Sequence, residues 1–293
     1  MQLKSPVTKK VRIKEWPVTF GNHGLKLTGK VFLPEDASAE SPIPGAVLCH
    51  GFGSSHRAVK NSAKIMAEQG IATLIFDFRG HGSSEGALDG RQAEDAIDAW
   101  NTLKQFPEVD KSRIGLIGHS LGAMSAIIAA GEVDSPKMLV ALACPPIIDE
   151  KMLADATANF GHWGREENRI VEFPKHGSFP FLTGISAVIA RLWMFLCRYY
   201  ARIDVKKFTE GILRLNMTEV VNKLDNCTKL FVFCEDDIIT PYTKSVLVYE
   251  AACEPKVKFL ARGNHSTSIG RGSLRSRWTT WAVDTLHDRR DSY

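Results

Sequence analysis

The stretch of this sequence best suited to covalent chemistry is Gly118-His119-Ser120-Leu121-Gly122. It follows a short apolar run at 114–117 and leads at once into a helical pattern of small residues. A serine between two glycines at a strand-to-helix turn is a nucleophile elbow. Such a turn strains the serine backbone and exposes its hydroxyl, and a Cβ on either glycine would strike a neighbouring strand or helix. The helix N-terminus then presents backbone N–H groups to the reacting oxygen. G-x-S-x-G also arises by chance as a packing turn; its place between strand and helix is what argues for chemistry.

A serine that transfers acyl groups needs a base, a carboxylate to orient that base, and donors for the oxyanion. Candidates stand in the order serine, acid, histidine that this kind of elbow predicts. The apolar run 230–234 ends in Glu235-Asp236-Asp237-Ile238-Ile239-Thr240-Pro241, which puts a carboxylate on the same rim as Ser120. Position within the run favours Asp237, with Asp236 the fallback. The plainer reading is that these acids are solvated and that Thr240 caps a helix begun by Pro241. The next run, 258–260, leads to Gly263-Asn264-His265-Ser266. His265 is the base candidate, because it alone follows the acid run and precedes the final helix. Upstream, Cys49-His50-Gly51-Phe52-Gly53 closes the first parallel strand. Its glycines let the Phe52 N–H point into the site and pair with that of Leu121 as an oxyanion hole. His50 reads as a structural hydrogen-bonding residue rather than a second base.

The elements that must hold these residues alternate. Short apolar runs at 47–49, 71–78, 114–117, 138–143, 230–234 and 257–260 are separated by helical patterns near 57–69, 91–105, 121–131, 241–252 and 274–288. That alternation predicts βαβ units and a mainly parallel, twisted sheet with helices on both faces. Residues 11–33 read as a hairpin turning at Asn22-His23-Gly24, adding antiparallel strands at one edge. Between 147 and 225 the alternation breaks, and aromatic and basic residues mix at helical spacing without a clear strand. The expected division is therefore core at 1–146, a helical cap at 147–225 inserted late in the sheet, and core again at 226–293.

Composition narrows the function classes. The chain has 293 residues, 44% hydrophobic and 24% charged, with a net charge of +4. Those values suit a soluble globular protein and exclude disorder, collagen and coiled coil. The basic excess is small and scattered, so nucleic acid is not an expected partner. Six cysteines lie far apart, with no zinc spacing, which predicts reduced thiols and no metal. The N-terminal segment is basic with no apolar stretch behind it, and the uncharged runs at 114–131 and 179–190 are interrupted by polar, Gly or Pro residues. A cytoplasmic protein is expected. Gly80-His81-Gly82 follows a strand, but its third glycine is Gly86, one residue too late for G-x-G-x-x-G, so no dinucleotide cofactor is expected.

Taken together, HGFG, DFRGHGSSEG, GHSLG, EDDIITP and GNH resemble the α/β-hydrolase family of serine esterases, monoacylglycerol lipases and related peptidases. The resemblance covers roughly 20–145 and 225–288 and leaves out the insertion. It implies an α/β-hydrolase fold, with Ser120 as nucleophile, His265 as base and Asp237 as its orienter. The loop Asp77 to Gly86 matches a family stretch that is mostly structural. Cys234 departs from the pattern, since similar sequences carry Gly before the acid loop.

The implied activity is hydrolysis of carboxylic esters with small to medium apolar or aromatic acyl groups, without a cofactor. A thioesterase or a serine peptidase would use the same residues, and a non-catalytic binding module would share only the fold. The apolar residues at 179–196 suit a cap that covers an acyl chain, although a helix packing its own face on the core would use the same pattern. The flank Arg191, Arg198, Arg202, Lys206 and Lys207 is of a kind that snorkels at a membrane surface, so weak membrane contact is a further expectation.

Overall fold

The computed structural model describes residues 11–21, 24–148, 170–173, 201–213, 215–270 and 272–289. Its centre is an eight-stranded sheet in the order β1-β2-β4-β3-β5-β6-β9-β10. The edge hairpin is β1 (Ile13–Phe20) and β2 (Leu27–Pro34), antiparallel, with Phe20 opposite Leu27. Strand β2 also pairs antiparallel with β4 (Ala72–Phe76). From β4 onward every neighbour is parallel: β3 (Ile43–Cys49), β5 (Val109–His119), β6 (Met138–Leu142), β9 (Thr228–Cys234) and β10 (Lys256–Ala261). The hairpin expected over 11–33 is present; two residues of its turn, 22–23, lie outside the described residues.

The strands read as continuous apolar runs because both faces are covered. Alternation decides which residue goes to which face. Val47, Leu116, Leu139 and Phe231 join one core with Trp100 and Leu103 of α2 (Gln92–Leu103) and Ala123 and Ile127 of α3 (Leu121–Glu132). Their neighbours Leu48, Ile117, Val140 and Leu230 join the other, against Ala63 and Met66 of α1 (His56–Ala67). A later helix, Ser273–Leu286, adds Trp278 and Trp281 to that second core.

The segment between β6 and β9 departs from the helical expectation. It carries an antiparallel pair, β7 (Ile170–Phe173) with β8 (Ala201–Asp204), followed by α4 (Val205–Ile212) and α5 (Met217–Val221). Residues 149–169 and 174–200, with the apolar stretch and Arg191 and Arg198 of the basic flank, lie outside the described residues. The strand β8 was hidden in the sequence because only Ala201 and Ile203 alternate inward, and four residues give too short a period to register. What it gains is backbone pairing with the loop after β4. Arg202 N–H donates to Gly80 O (2.7 Å), Leu88 N–H to Arg202 O (2.7 Å), and Asp204 N–H to Leu88 O (3.0 Å). Asp204 then caps α4 by accepting from Lys207 N–H.

That loop is itself fixed by buried charge. Arg79, buried, forms ion pairs with Asp95, Asp89 and Glu94. Asp77 accepts the His56 backbone N–H (2.7 Å) at the start of α1, where Ser55 supplies no side-chain cap, and also the Ser83 N–H (3.1 Å). The remaining helix of the core is α6 (Tyr242–Ala251); the helix Ser273–Leu286 is α7. Among the described residues, no helix is long and apolar enough to cross a membrane.

Candidate active site

Ser120 sits at the carboxyl end of β5 with φ 55° and ψ −117°, a conformation that L-residues adopt rarely and at a cost. The strain is held in place by contacts that leave no room for anything else. A Cβ at Gly118 would lie 2.0 Å from the Gly122 carbonyl oxygen, and one at Gly122 would lie 2.5 Å from the carbonyl oxygens of Cys49 and His50. The Ser120 N–H donates to Leu142 O at 2.9 Å, which ties the elbow to the end of β6. Leu121 supplies the first N–H of α3.

The turn after β3 lies against this elbow. A Cβ on Gly51 would sit 3.4 Å from the Ser120 Cβ and 2.9 Å from the His119 Nδ1. Ser54 N–H donates to Gly51 O (3.3 Å), closing a β-turn in which Gly53 takes φ 65°. Phe52, at its tip, stacks its ring on Phe208 of α4 with centroids 6.0 Å apart.

The candidate acid and the candidate base meet directly. His265 Nδ1 lies 2.8 Å from Asp237 Oδ2, and both side chains are nearly buried. Ile239 N–H and Thr240 N–H each donate to Asp237 Oδ1 at 2.9 Å, and the Thr240 hydroxyl donates to Oδ2 at 2.6 Å. Burial pulls this carboxyl upward, but the His265 and Thr240 hydrogen bonds outweigh it and hold Asp237 below its ordinary 3.8. It therefore stays ionised at neutral pH. Asp236 turns the other way and accepts the Gly263 N–H (3.2 Å), steadying the loop that carries His265. Of the two acids left open by the sequence, Asp237 is the one on the histidine.

His265 is joined to the elbow through its neighbour. The His119 ring packs on the His265 ring, centroids 4.7 Å apart, and its Nε2 lies 2.9 Å from the His265 carbonyl oxygen. A carbonyl only accepts, so His119 carries its proton on Nε2. Burial above all, and then the adjoining His265, push His119 down to about 3, so it stays neutral. Among the described residues, no hydrogen bond joins the Ser120 hydroxyl to His265. Such contacts commonly tighten only when substrate binds.

Two residues here escaped the sequence reading. The plainer reading made Thr240 the cap of α6, but Pro241 occupies the cap position with no side-chain bond, and the threonine hydroxyl serves Asp237 instead. Its spacing three residues after Asp237 was the available signal. His119 carried no signal beyond its place inside G-x-S-x-G. Burial raises the thiols of Cys49, Cys144, Cys227 and Cys234, Cys234 to about 11, so these four are poor nucleophiles at neutral pH. Among the described residues no group of three or more His, Cys, Asp and Glu could hold a metal ion.

A family model described as the alpha/beta hydrolase family matches residues 46–269. With this sheet, this elbow and that match over most of its length, the chain belongs to the alpha/beta hydrolase family. Among curated proteins it is similar to the thiohydrolase aneE of Aspergillus aculeatus, 36% identical over 144 residues, covering 46% of this chain and 43% of that protein. The aligned part thus spans less than half the length of that relative. The polyketide transferase grgF of a Penicillium species is 27% identical over 259 residues, 82% of this chain and 85% of that protein. The crystal structure of GrgF from Penicillium sp. sh18 has a TM-score of 0.71 at 24% identity, covering 95% of this chain and 99% of that one. The Pyrococcus furiosus esterase Pf2001 follows at 0.64 and 21% identity, covering 94% and 91%. Both structures share the fold.

Proposed function

We propose that this protein is a serine hydrolase that cleaves carboxylic esters of small to medium apolar or aromatic acyl groups through an acyl-enzyme on Ser120. The observation that carries the reading is the Asp237–His265 hydrogen bond of 2.8 Å, packed against the elbow through His119. With Nδ1 committed to Asp237, His265 keeps a basic Nε2 that takes the Ser120 proton as the hydroxyl oxygen attacks the carbonyl carbon. The carbonyl oxygen becomes an oxyanion between the N–H groups of Phe52 and Leu121. Collapse expels the leaving alkoxide, which receives the proton from His265. Water, deprotonated by the same imidazole, then attacks the acyl carbon and releases the acid and Ser120.

A second reading has the same residues act on an acyl thioester. The similarity to a thiohydrolase favours it. A thiolate leaves without needing the proton that an alkoxide requires, so the two substrates differ in their demand on His265. The test pairs p-nitrophenyl esters of increasing chain length with the matching acyl thioesters. Turnover of either series that vanishes in Ser120→Ala, with fluorophosphonate labelling of Ser120 in the wild type, supports the enzyme. An unlabelled wild type, or an active Ser120→Ala, ends the proposal and leaves a binding module on this fold. The partner expected is a small acyl substrate, met in the cytoplasm.

A further inference from the structure

An acyl group on Ser120 has one side of the sheet open to it. The leaving group takes its proton from His265, so it faces the loop after β10. In the sheet order β9 and β10 stand on one side of β5, and β3 and β4 on the other. The acyl group therefore falls toward β3 and β4, where α2 packs against both strands and against α3. A small cavity lies on that side. Leu121, Met124, Ser125 and Ile128, at i, i+3, i+4 and i+7, share one face of α3 and form its floor, and Ala93 of α2 and Ile212 of α4 help to close it. The Ser125 hydroxyl is given to the Leu121 carbonyl at 2.9 Å. At about 10 Å³ the cavity has room for one water and none for a hydrocarbon chain.

Leu121 stands where this cavity meets the elbow. As the first residue of α3 it directs its N–H along the helix axis, while its buried side chain projects sideways onto the cavity. Helical Cα–Cβ bonds tilt toward the N-terminus, so that side chain leans back over the turn carrying Ser120. The opposite wall is held by backbone contact. A Cβ on Gly211 would lie 2.9 Å from the Gly90 Cα, so α4 rests directly on the loop before α2. The width of the cavity is thereby left to its side chains, and at the elbow end that side chain is Leu121.

We infer that the Leu121 side chain plugs an apolar cleft along α3 and so sets the acyl length: acyl groups of a few carbons fit against it and longer ones do not. This rests on the esterase reading made above and narrows its substrates to the short end of the range. It gives the Leu121 side chain a task separate from that of its N–H.

Two variants test the plug. Leu121→Ala keeps the backbone N–H and removes about three carbons, whose volume joins the cavity. Adding Ala93→Leu to it returns that volume from the α2 wall. The first readout is kcat/KM for p-nitrophenyl acetate, butyrate, hexanoate and octanoate. In the wild type it should fall beyond butyrate. In Leu121→Ala the hexanoate-to-acetate ratio should rise at least about tenfold, the scale of one methylene gained in an apolar pocket. The double variant should bring the ratio back toward wild type. A ratio within one protein is unaffected by a loss of folded fraction, and thermal unfolding curves show whether each variant is folded. The second readout needs no substrate: the Met124 methyl resonance under xenon, which enters dry apolar cavities. It should shift in Leu121→Ala and stay put in the wild type and the double variant. A wild type as active on octanoate as on acetate, an unchanged ratio in Leu121→Ala, a double variant that keeps the gain, or a wild-type Met124 methyl that answers xenon as the Leu121→Ala one does, overturns the inference. Xenon shifts in the expected order, in a protein of which no variant hydrolyses an ester, would sink the esterase reading and leave Leu121 as the plug of the cleft. Hydrolysis with a wild-type ratio in Leu121→Ala would do the reverse.

Discussion

Replacing Thr240 by Val tests the claim that its hydroxyl serves Asp237 rather than the helix. Valine has nearly the same shape, and the site is buried, so packing changes little while one donor disappears. That donor sits 2.6 Å from an ionised carboxylate oxygen, and hydrogen bonds to charged groups contribute about 1.5–3 kcal/mol. Asp237 keeps the N–H groups of Ile239 and Thr240 and the His265 bond, so its charge stays partly solvated and about 2 kcal/mol is the expected loss at pH 7. The pH dependence gives the sharper check. The folded-state pKa of Asp237 lies below 3.8, so its bonds stabilise the fold fully above that value. The contribution fades as pH falls through the lower folded value and the carboxyl becomes protonated in both states. Urea unfolding of wild type and T240V at pH 7 and at the lowest pH where both remain folded should therefore show a gap that narrows on acidification. An equal gap at both pH values, or none at pH 7, would refute the argument that the hydroxyl acts on the charged acid.

Other perturbations probe neighbouring links. His119→Phe keeps a ring against His265 but removes the donor to its carbonyl; kcat for ester hydrolysis should fall with KM near wild type, and His119→Gln should restore part of it. Ala143 follows β6 with φ 50°, a conformation that costs a residue with a Cβ about 1–2 kcal/mol, so Ala143→Gly should raise the thermal midpoint; an unchanged or lower midpoint would show that the strain is absent. Arg79→Met leaves the buried Asp95 carboxylate without its cation and should cost about 3–5 kcal/mol in urea unfolding. The same change should increase proteolytic cleavage near β8, whose backbone pairs with the Arg79 loop.

Much of the fold was legible because the core runs are longer than the ambiguity they carry. The run 71–78 is too apolar for an exposed loop and too short for a helix, and it became β4 at the expected place. The elbow was legible because two glycines are demanded by contacts of 2.0 and 2.5 Å that no other residue tolerates. The acid was legible only to within two positions. Position within the run favoured Asp237 over Asp236, but what separates them is which one the chain turns inward after Cys234, a matter of backbone direction. The pair β7–β8 was illegible for another reason. A four-residue strand stabilised by main-chain bonds to a distant loop leaves little trace in side-chain pattern.

The same limit explains why a histidine and an aspartate in contact do not by themselves define a catalytic pair. Among the described residues there are two such contacts: His265 on Asp237 at 2.8 Å and His56 on Asp77 at 2.9 Å. Asp77 spends its first oxygen on the backbone and ring of His56 and its second on the Ser83 N–H, so it fastens α1 to the loop after β4. Asp237 likewise gathers backbone N–H groups, but its histidine lies against His119, one residue from Ser120. Buried His50 and His81 have both ring nitrogens engaged by the backbone. His119 gives Nε2 to the His265 carbonyl. Among these rings, His265 alone combines a carboxylate on Nδ1 with a place beside the elbow, and that conjunction, rather than the dyad, is what makes it the candidate base.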